Sequence, residues 1–324
     1  MRKVRKNWVQ KLVIIGALLA FLFTGAAHAA EIRQISIAGA GTAGTFYIMA
    51  SGFADLFSRY LNIPSIPEVT AGSVENARLL DTRRVEMGVI QLDVMQDALE
   101  GNNDTFRSPV EISALVPMFP NIVQLITLKD SPIASFADLR GRRVSVGSPG
   151  SGILATNRVL LSAMGLSMED IQPLYLSFVE TTNAFRDGQI DAALVNTAAP
   201  APWLVDLETT HSIKLIPFSD AEIERLTTEF PSFAPFSLAK DTYNSLDEDI
   251  NTLALWITLA TFDSLPEQLA YDATKLIFEN TETLKTVHSA ATYILPENAR
   301  FISVPFHPGA ARYLREKGID VGVK

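Results

Sequence analysis

The chain has 324 residues, 36 acidic and 27 basic, and no cysteine. That length allows one or two domains with a large core, and 48% apolar against 19% charged residues describes a globular chain. The net charge of −9 argues against nucleic acid as a partner, and the missing cysteine excludes disulfides, thiolate catalysis and cysteine-based metal sites.

The chain opens on a targeting pattern. Arg2, Lys3, Arg5, Lys6 and Lys11 form a basic start, residues 12–23 are uncharged and mostly apolar, and Ala27-His28-Ala29 supplies the small-x-small pattern of a cleavage site. A membrane span needs about 20 apolar residues, and this run is too short for one. The expectation is a signal peptide over 1–29 and a periplasmic protein that is not lipid-anchored, since no cysteine follows for acylation. The remaining chain then holds 22 basic and 36 acidic residues, a net −14.

Beyond it the same unit occurs twice. Residues 32–38 read as a strand, 39–44 as a glycine turn and 45–61 as a helix with Phe46, Ala50, Phe53, Ala54 and Phe57 on one face. Residues 66–70 read as the second strand, 76–83 as a short helix, 85–91 as a strand ending on Gln91, and 93–99 as the next helix. Residues 112–128 form a long extended run broken by Pro117 and Pro120, which is how a crossing between lobes would look. The second unit repeats the first: strand 143–147, a turn over 148–152, a helix over 153–164 closed by Gly165, a helix over 183–187, strand 190–196 ending on Asn196, and a helix over 203–209. Strand 213–218, a return crossing over 250–262, a helix from Pro266 to Phe278 and a last helix after His307-Pro308-Gly309 complete the reading. Strand–helix alternation is the signature of parallel α/β sheets. The predicted fold is α/β, a two-lobe binding protein (type II-like) with a mostly parallel sheet in each lobe and hinge crossings between them. Lobe 1 is expected over 30–120 plus about 250–324, and lobe 2 over 121–249.

Gly39, Gly41 and Gly44 spell the dinucleotide fingerprint after a strand, but Glu68 lies inside the second strand rather than closing it, and no cofactor is expected. A glycine turn still exposes N–H groups that bind an anion at a helix N-terminus. Three such N-termini are expected, at residues 42–47, 73–76 and 150–153. Thr42, Thr45, Ser73, Ser148 and Ser151 add hydroxyls. Gln91 and Asn196, ending equivalent strands, are expected to face each other across a cleft, with Tyr47 and Trp203 as half-wet walls. The candidate ligand set is Thr42, Gly44, Thr45, Tyr47, Ser73, Asn76, Gln91, Ser148, Ser151, Gly152, Asn196, Thr197 and Trp203. No metal site and no catalytic constellation is expected: His211, His288 and His307 sit apart, and neither H-E-x-x-H nor G-x-S-x-G occurs.

Several segments resemble the TAXI-type solute receptors of TRAP transporters: residues 40–47, 71–76, 89–94, 140–152, 176–178, 187–192 and 307–310. The resemblance runs in order along 31–318. It implies a periplasmic receptor that closes on a small carboxylate, such as glutamate, glutamine or a 2-oxoacid, and delivers it to TRAP membrane subunits, fused or separate. A monomer is expected. The family's usual hydroxyls are missing at Ile153 and Ala201, which implies a less polar or differently placed solute. An extracytoplasmic sensor is the alternative, and a secreted enzyme using the same cleft a more distant one.

Overall fold

The computed structural model describes residues 32–323, so the expected signal peptide lies outside the described residues. In chain order, β1 (Ile35–Ala38) turns into α1 (Thr45–Tyr60), and β2 (Ser65–Glu68) leads to α2 (Ser73–Asp81), β3 (Met87–Gln91) and α3 (Leu92–Glu100). β4 (Ile112–Leu128) follows. The second round is β5 (Arg143–Ser145), α4 (Gly152–Ala163), β6 (Gln172–Leu174), α5 (Phe178–Arg186), β7 (Ala192–Thr197) and α6 (Pro202–Glu208). β8 (Ile213–Ile216), α7 (Asp220–Glu229), β9 (Phe233–Leu238), β10 (Ile250–Phe262), α8 (Glu267–Glu279), α9 (Thr281–Val287) and α10 (Pro308–Glu316) end the chain.

One mixed sheet runs β2-β1-β3-β10-β4-β7-β5-β6, with β8 beside β4 and β9 beside β10. β1 is parallel to β2 and β3, and β5 is parallel to β6 and β7, so each round builds its own parallel half-sheet. The two long strands tie the halves together. β10 pairs with β9 over Ile250–Leu255 and with β3 over Ile257–Thr261. β4 pairs with β10 from Ile112 to Ile122 and with β7 from Ile122 to Ile126.

β4 is continuous through Pro117 and Pro120, where the sequence suggests a break. Pro117 faces Thr258 and Pro120 faces Trp256, and the register shifts between those two partners. A proline cannot donate to the ladder, and a bulge is where that loss is tolerated. Thr258 repairs part of it, its hydroxyl donating to the Val116 carbonyl at 3.0 Å. α5 begins at Phe178, five residues before the expected helix start at 183, because Ser177 and Glu180 cap each other's backbone in a reciprocal box. β6, α7, β9 and α9 have no counterpart in the sequence reading.

Side chains alternate across β7. Ala192 and Leu194 pack with Val123, Leu125 and Val144 on one face, and Ala193 and Val195 with Ile122, Ile126 and Trp203 on the other. In the first half-sheet, Ile35 and Ile37 of β1 and Phe53 and Phe57 of α1 are fully buried. Two buried asparagines fix helices to strands. Asn76 of α2 donates to the carbonyls of Gly39 (2.7 Å), Val89 (2.8 Å) and Ala38 (3.3 Å). Asn157 of α4 donates to Leu194 at 2.6 Å and Val146 at 3.2 Å. Removing such an amide leaves buried carbonyls unpaired, at a cost of about 1–3 kcal/mol. Asn157→Ala is therefore expected to lower the unfolding free energy by that amount, as a lower urea midpoint with an unchanged slope, read by denaturation followed by fluorescence.

Candidate functional site

Strands of a parallel half-sheet all end at one edge, so the turns that follow them gather there. The two half-sheets set these edges against each other around a cleft of about 250 Å³. Thr42, Gly44, Thr45, Ser73 and Gln91 line it from the first half, and Ser148, Ser151, Gly152, Asn196 and Thr197 from the second. Asn121, on β4, lines it between them.

Five helices begin in this lining, α3 among them with Gln91 as its N-cap. The other four N-caps are Gly44 for α1, Gly72 for α2, Ser151 for α4 and Ser177 for α5. Ser151 Oγ accepts the Leu154 N–H at 3.1 Å. Gly44 and Gly72 carry no side chain to cap with. Gly72 has φ +123, where a Cβ would be strained, whereas Gly44 is extended at φ −94 and owes its place to space rather than to φ. Each N-terminus carries about half a positive charge on its free N–H groups. Among the described residues, no aspartate, glutamate, lysine, arginine or histidine lines the cleft. Its walls are instead Phe46, Ile153, Leu176, Phe178 and Val195. Phe178 stacks on Trp203 with ring centres 5.1 Å apart, and Phe46 meets the edge of Phe119 at 6.1 Å.

Three expected ligand residues stand outside this lining. Asn76 spends its amide on the backbone of the first half-sheet, and its Oδ1 accepts the Thr70 hydroxyl at 2.6 Å. Trp203 is buried behind Phe178 in the core, and Tyr47 is half-buried on α1 away from the cleft. Of the two missing hydroxyls, Ile153 does line the cleft; Ala201 is buried in the core with its N–H on Tyr243 Oη at 3.0 Å. Gln91 lines the cleft but is not free. Its Nε2 donates to Thr156 Oγ1 at 2.8 Å and Asp93 Oδ1 at 3.1 Å, and its Oε1 accepts from Asn121 at 3.1 Å. Asn121, Ser177 and Phe178 are lining residues absent from the candidate ligand set. Asn121 is signalled by an amide inside an apolar strand, and Ser177 by the Ser-x-x-Glu box.

Two links cross from one half to the other. Glu75 N–H donates to the Gly150 carbonyl at 3.1 Å, and Thr156 of α4 bridges Gln91 to Asp93 Oδ2 at 2.6 Å. Burial pushes the Asp93 carboxyl up from the usual range, against hydrogen bonds from Thr156, Val94 and Gln91 that lower it.

The NMT1-like family pattern matches residues 37–318, and the chain belongs to that family. A protein of Escherichia coli (strain K12) named as an aliphatic sulfonates-binding protein is 36% identical over 76 residues, 24% of each chain, so the match spans about a quarter of that relative's length. The binding protein component of an ABC phosphonate transporter from Pseudomonas aeruginosa has a similar structure, with a TM-score of 0.53 and 12% identity, covering 89% of this chain and 96% of that one. The alkanesulfonate-binding protein from Xanthomonas axonopodis pv. citri, solved with MOPS, has a TM-score of 0.47 and 18% identity over 89% and 85% of the two chains.

Two outcomes follow from the geometry. A Cβ at Gly44 would lie 3.2 Å from the Gly41 carbonyl and 3.3 Å from the Phe178 ring. Gly44→Val is expected to displace that aromatic wall and alter the ligand cleft while lowering the melting temperature little; near-ultraviolet circular dichroism of the Phe178–Trp203 stack reads the displacement. The folded protein holds the Asp93 proton more tightly than the unfolded chain does. This contribution is therefore full below the ordinary carboxylate range and is lost as pH rises through the raised value. Asp93→Asn should abolish that slope in urea midpoints measured against pH.

Proposed function

Taking membership of the NMT1-like family as the premise, we propose that this chain is a periplasmic solute receptor that captures a small organic anion and hands it to a membrane permease. The observation that carries this is the convergence of five helix N-termini on a cleft that, among the described residues, no charged side chain lines. Oriented N–H groups in a dry cleft stabilise an anion without a counter-cation. The apolar walls suit a solute with a hydrocarbon body. A carboxylate, the head group implied by the TAXI resemblance, fits such N–H donors. So do the sulfonate and phosphonate heads named for the similar proteins.

The two lobes, residues 30–120 with about 250–324 and residues 121–249, close on the solute about the crossings in β4 and β10. Glu75 to Gly150 and Gln91 to Thr156 are links that closure makes. A solute touching both lobes shifts the population toward the closed form. The lining offers hydroxyls and amides but no general base beside them, which supports binding rather than catalysis. For the permease, the names of the similar proteins favour an ABC-type partner, and the quoted segments favour a TRAP-type one. Uptake that fails on ATP depletion identifies the first, and uptake that fails on collapse of the ion gradient the second.

The reading is tested by calorimetric titration of the purified protein with short alkyl carboxylates, sulfonates and phosphonates, and with neutral amides and amines of the same size. Anions are expected to bind and the neutral and cationic series not to. Gly152→Val places a Cβ 2.9 Å from Ser73 Oγ and 3.2 Å from Gln91 Oε1, across the cleft. It is expected to weaken the best anion by about tenfold or more, about 1.4 kcal/mol, with the unliganded melting temperature close to the parent's. Binding of no anion, or equal binding of the neutral series, overturns the proposal.

A further inference from the structure

The polar groups of the cleft do not offer donors and acceptors equally. Asn196 is 2% exposed and lines the cleft, yet neither Oδ1 nor Nδ2 has a hydrogen-bond partner among the described residues. Asn121 is as deeply buried and also lines the cleft; its Nδ2 donates to Gln91 Oε1, and its Oδ1 has no partner among the described residues. Buried amides are almost always paired, so groups left over in a binding cleft mark what the solute supplies.

The direction of the Asn121 amide is set from two residues away. The Val94 N–H can only donate, and it lies 2.8 Å from Asp93 Oδ1, so that oxygen accepts. Gln91 Nε2 donates to the same oxygen and to Thr156 Oγ1, which turns Gln91 Oε1 toward Asn121. Asn121 must bring its NH2 group to that oxygen and keep Oδ1 over. Turning either amide round would set N–H against N–H or oxygen against oxygen. Asn196 adds one donor and one acceptor whichever way it is turned. Across the two asparagines the unpaired set is thus two acceptor oxygens and one NH2 group.

Resting on the solute-receptor reading, we infer that the cleft selects an organic anion that also carries a neutral hydrogen-bond donor, a hydroxyl or an amide N–H, and that Gln91 positions Asn121 for this selection. The anionic head takes the helix N–H groups, and the donor satisfies Asn121 Oδ1 or Asn196 Oδ1. Among the described residues no carboxylate lines the cleft to balance an ammonium, so the donor is a neutral one. A solute with acceptors alone leaves both oxygens buried and unpaired, and a site built to bond a hydroxyl rejects the analogue lacking it.

The test holds the anionic head and the hydrocarbon body constant and changes the donor. Calorimetric titration compares 2-hydroxy-4-methylpentanoate with 2-oxo-4-methylpentanoate and 4-methylpentanoate, and 2-hydroxyethanesulfonate with ethanesulfonate. In at least one series the hydroxy compound is expected to bind about tenfold or more tightly than its donorless analogues. In Gln91→Met the Asn121 amide is free to turn, and the preference for hydroxy over oxo compound is expected to fall to about twofold or less. Asn196→Leu, which removes a cleft amide without touching that row, is expected to weaken the hydroxy compounds and to retain part of the preference. Donorless analogues that bind as well as the hydroxy compounds overturn the inference and leave the receptor standing. A Gln91→Met protein with the parent's preference overturns the positioning role. Binding of none of the five compounds overturns the receptor reading, and this inference with it.

Discussion

Parallel strands can be joined only by a crossover, and here the crossover is a helix in nearly every case. That constraint puts every strand-to-helix turn of a half-sheet at one edge and points the free N–H groups of the helices the same way. A single half-sheet would gather only two or three such ends. The site becomes more than a row of caps because β4 and β10 belong to both half-sheets and hold the two edges face to face. On the proposed reading, the anion-binding character of the cleft then follows from topology, with no cation needed to create it. Gly44 and Gly72 are placed where a side chain would cap those N–H groups or fill the approach to them.

The buried amides divide into two groups with different work. Asn76, Asn157 and Gln91 have their amide nitrogens committed to protein acceptors, and removing them would loosen helix, strand or inter-half contacts. Asn196, and the oxygen of Asn121, are committed to nothing in the protein. An amide buried without a partner costs on the order of 1–3 kcal/mol, and a fold that retains one at its cleft is less stable than it could be until a solute arrives. On the proposed reading, this is the difference between holding the cleft and using it.

The repeat was legible because it rests on local rules. Gly72, Gly150 and Gly165 hold positive φ, and strand, turn and helix follow in the order that the hydrophobic spacing predicts. The 112–128 run was legible as a strand but not as an unbroken one, since the bulge that accepts Pro117 and Pro120 is made by Trp256 and Thr258, far along the chain. At the site, sequence reasoning identified the turns and the two strand-end amides. It could not see that Gln91 is engaged by Thr156, 65 positions away, or that Asn76 faces backbone rather than cleft. The half-polar rings of Tyr47 and Trp203 suit a cleft wall, but packing decides otherwise: Trp203 supports Phe178, which supplies the wall. The Ser177-x-x-Glu180 box is readable locally and starts α5 ahead of the 183 that the hydrophobic spacing suggests.

If the cleft takes an anion, as proposed, the balance of charge has a consequence for how that anion reaches it. The chain is acidic overall, with 36 acidic against 27 basic residues, so its long-range field repels an anion rather than steering one in. Salt limits that repulsion to a Debye length of about 8 Å at physiological ionic strength. Helix ends act over a shorter range still, within about their first turn. The attraction is therefore felt only once the solute has shed water inside the cleft, where the low dielectric strengthens each N–H contact. Selection by such a site is made after entry and not on approach. On the proposed reading the apolar walls, by excluding water, strengthen the contact that each donor makes with the anion.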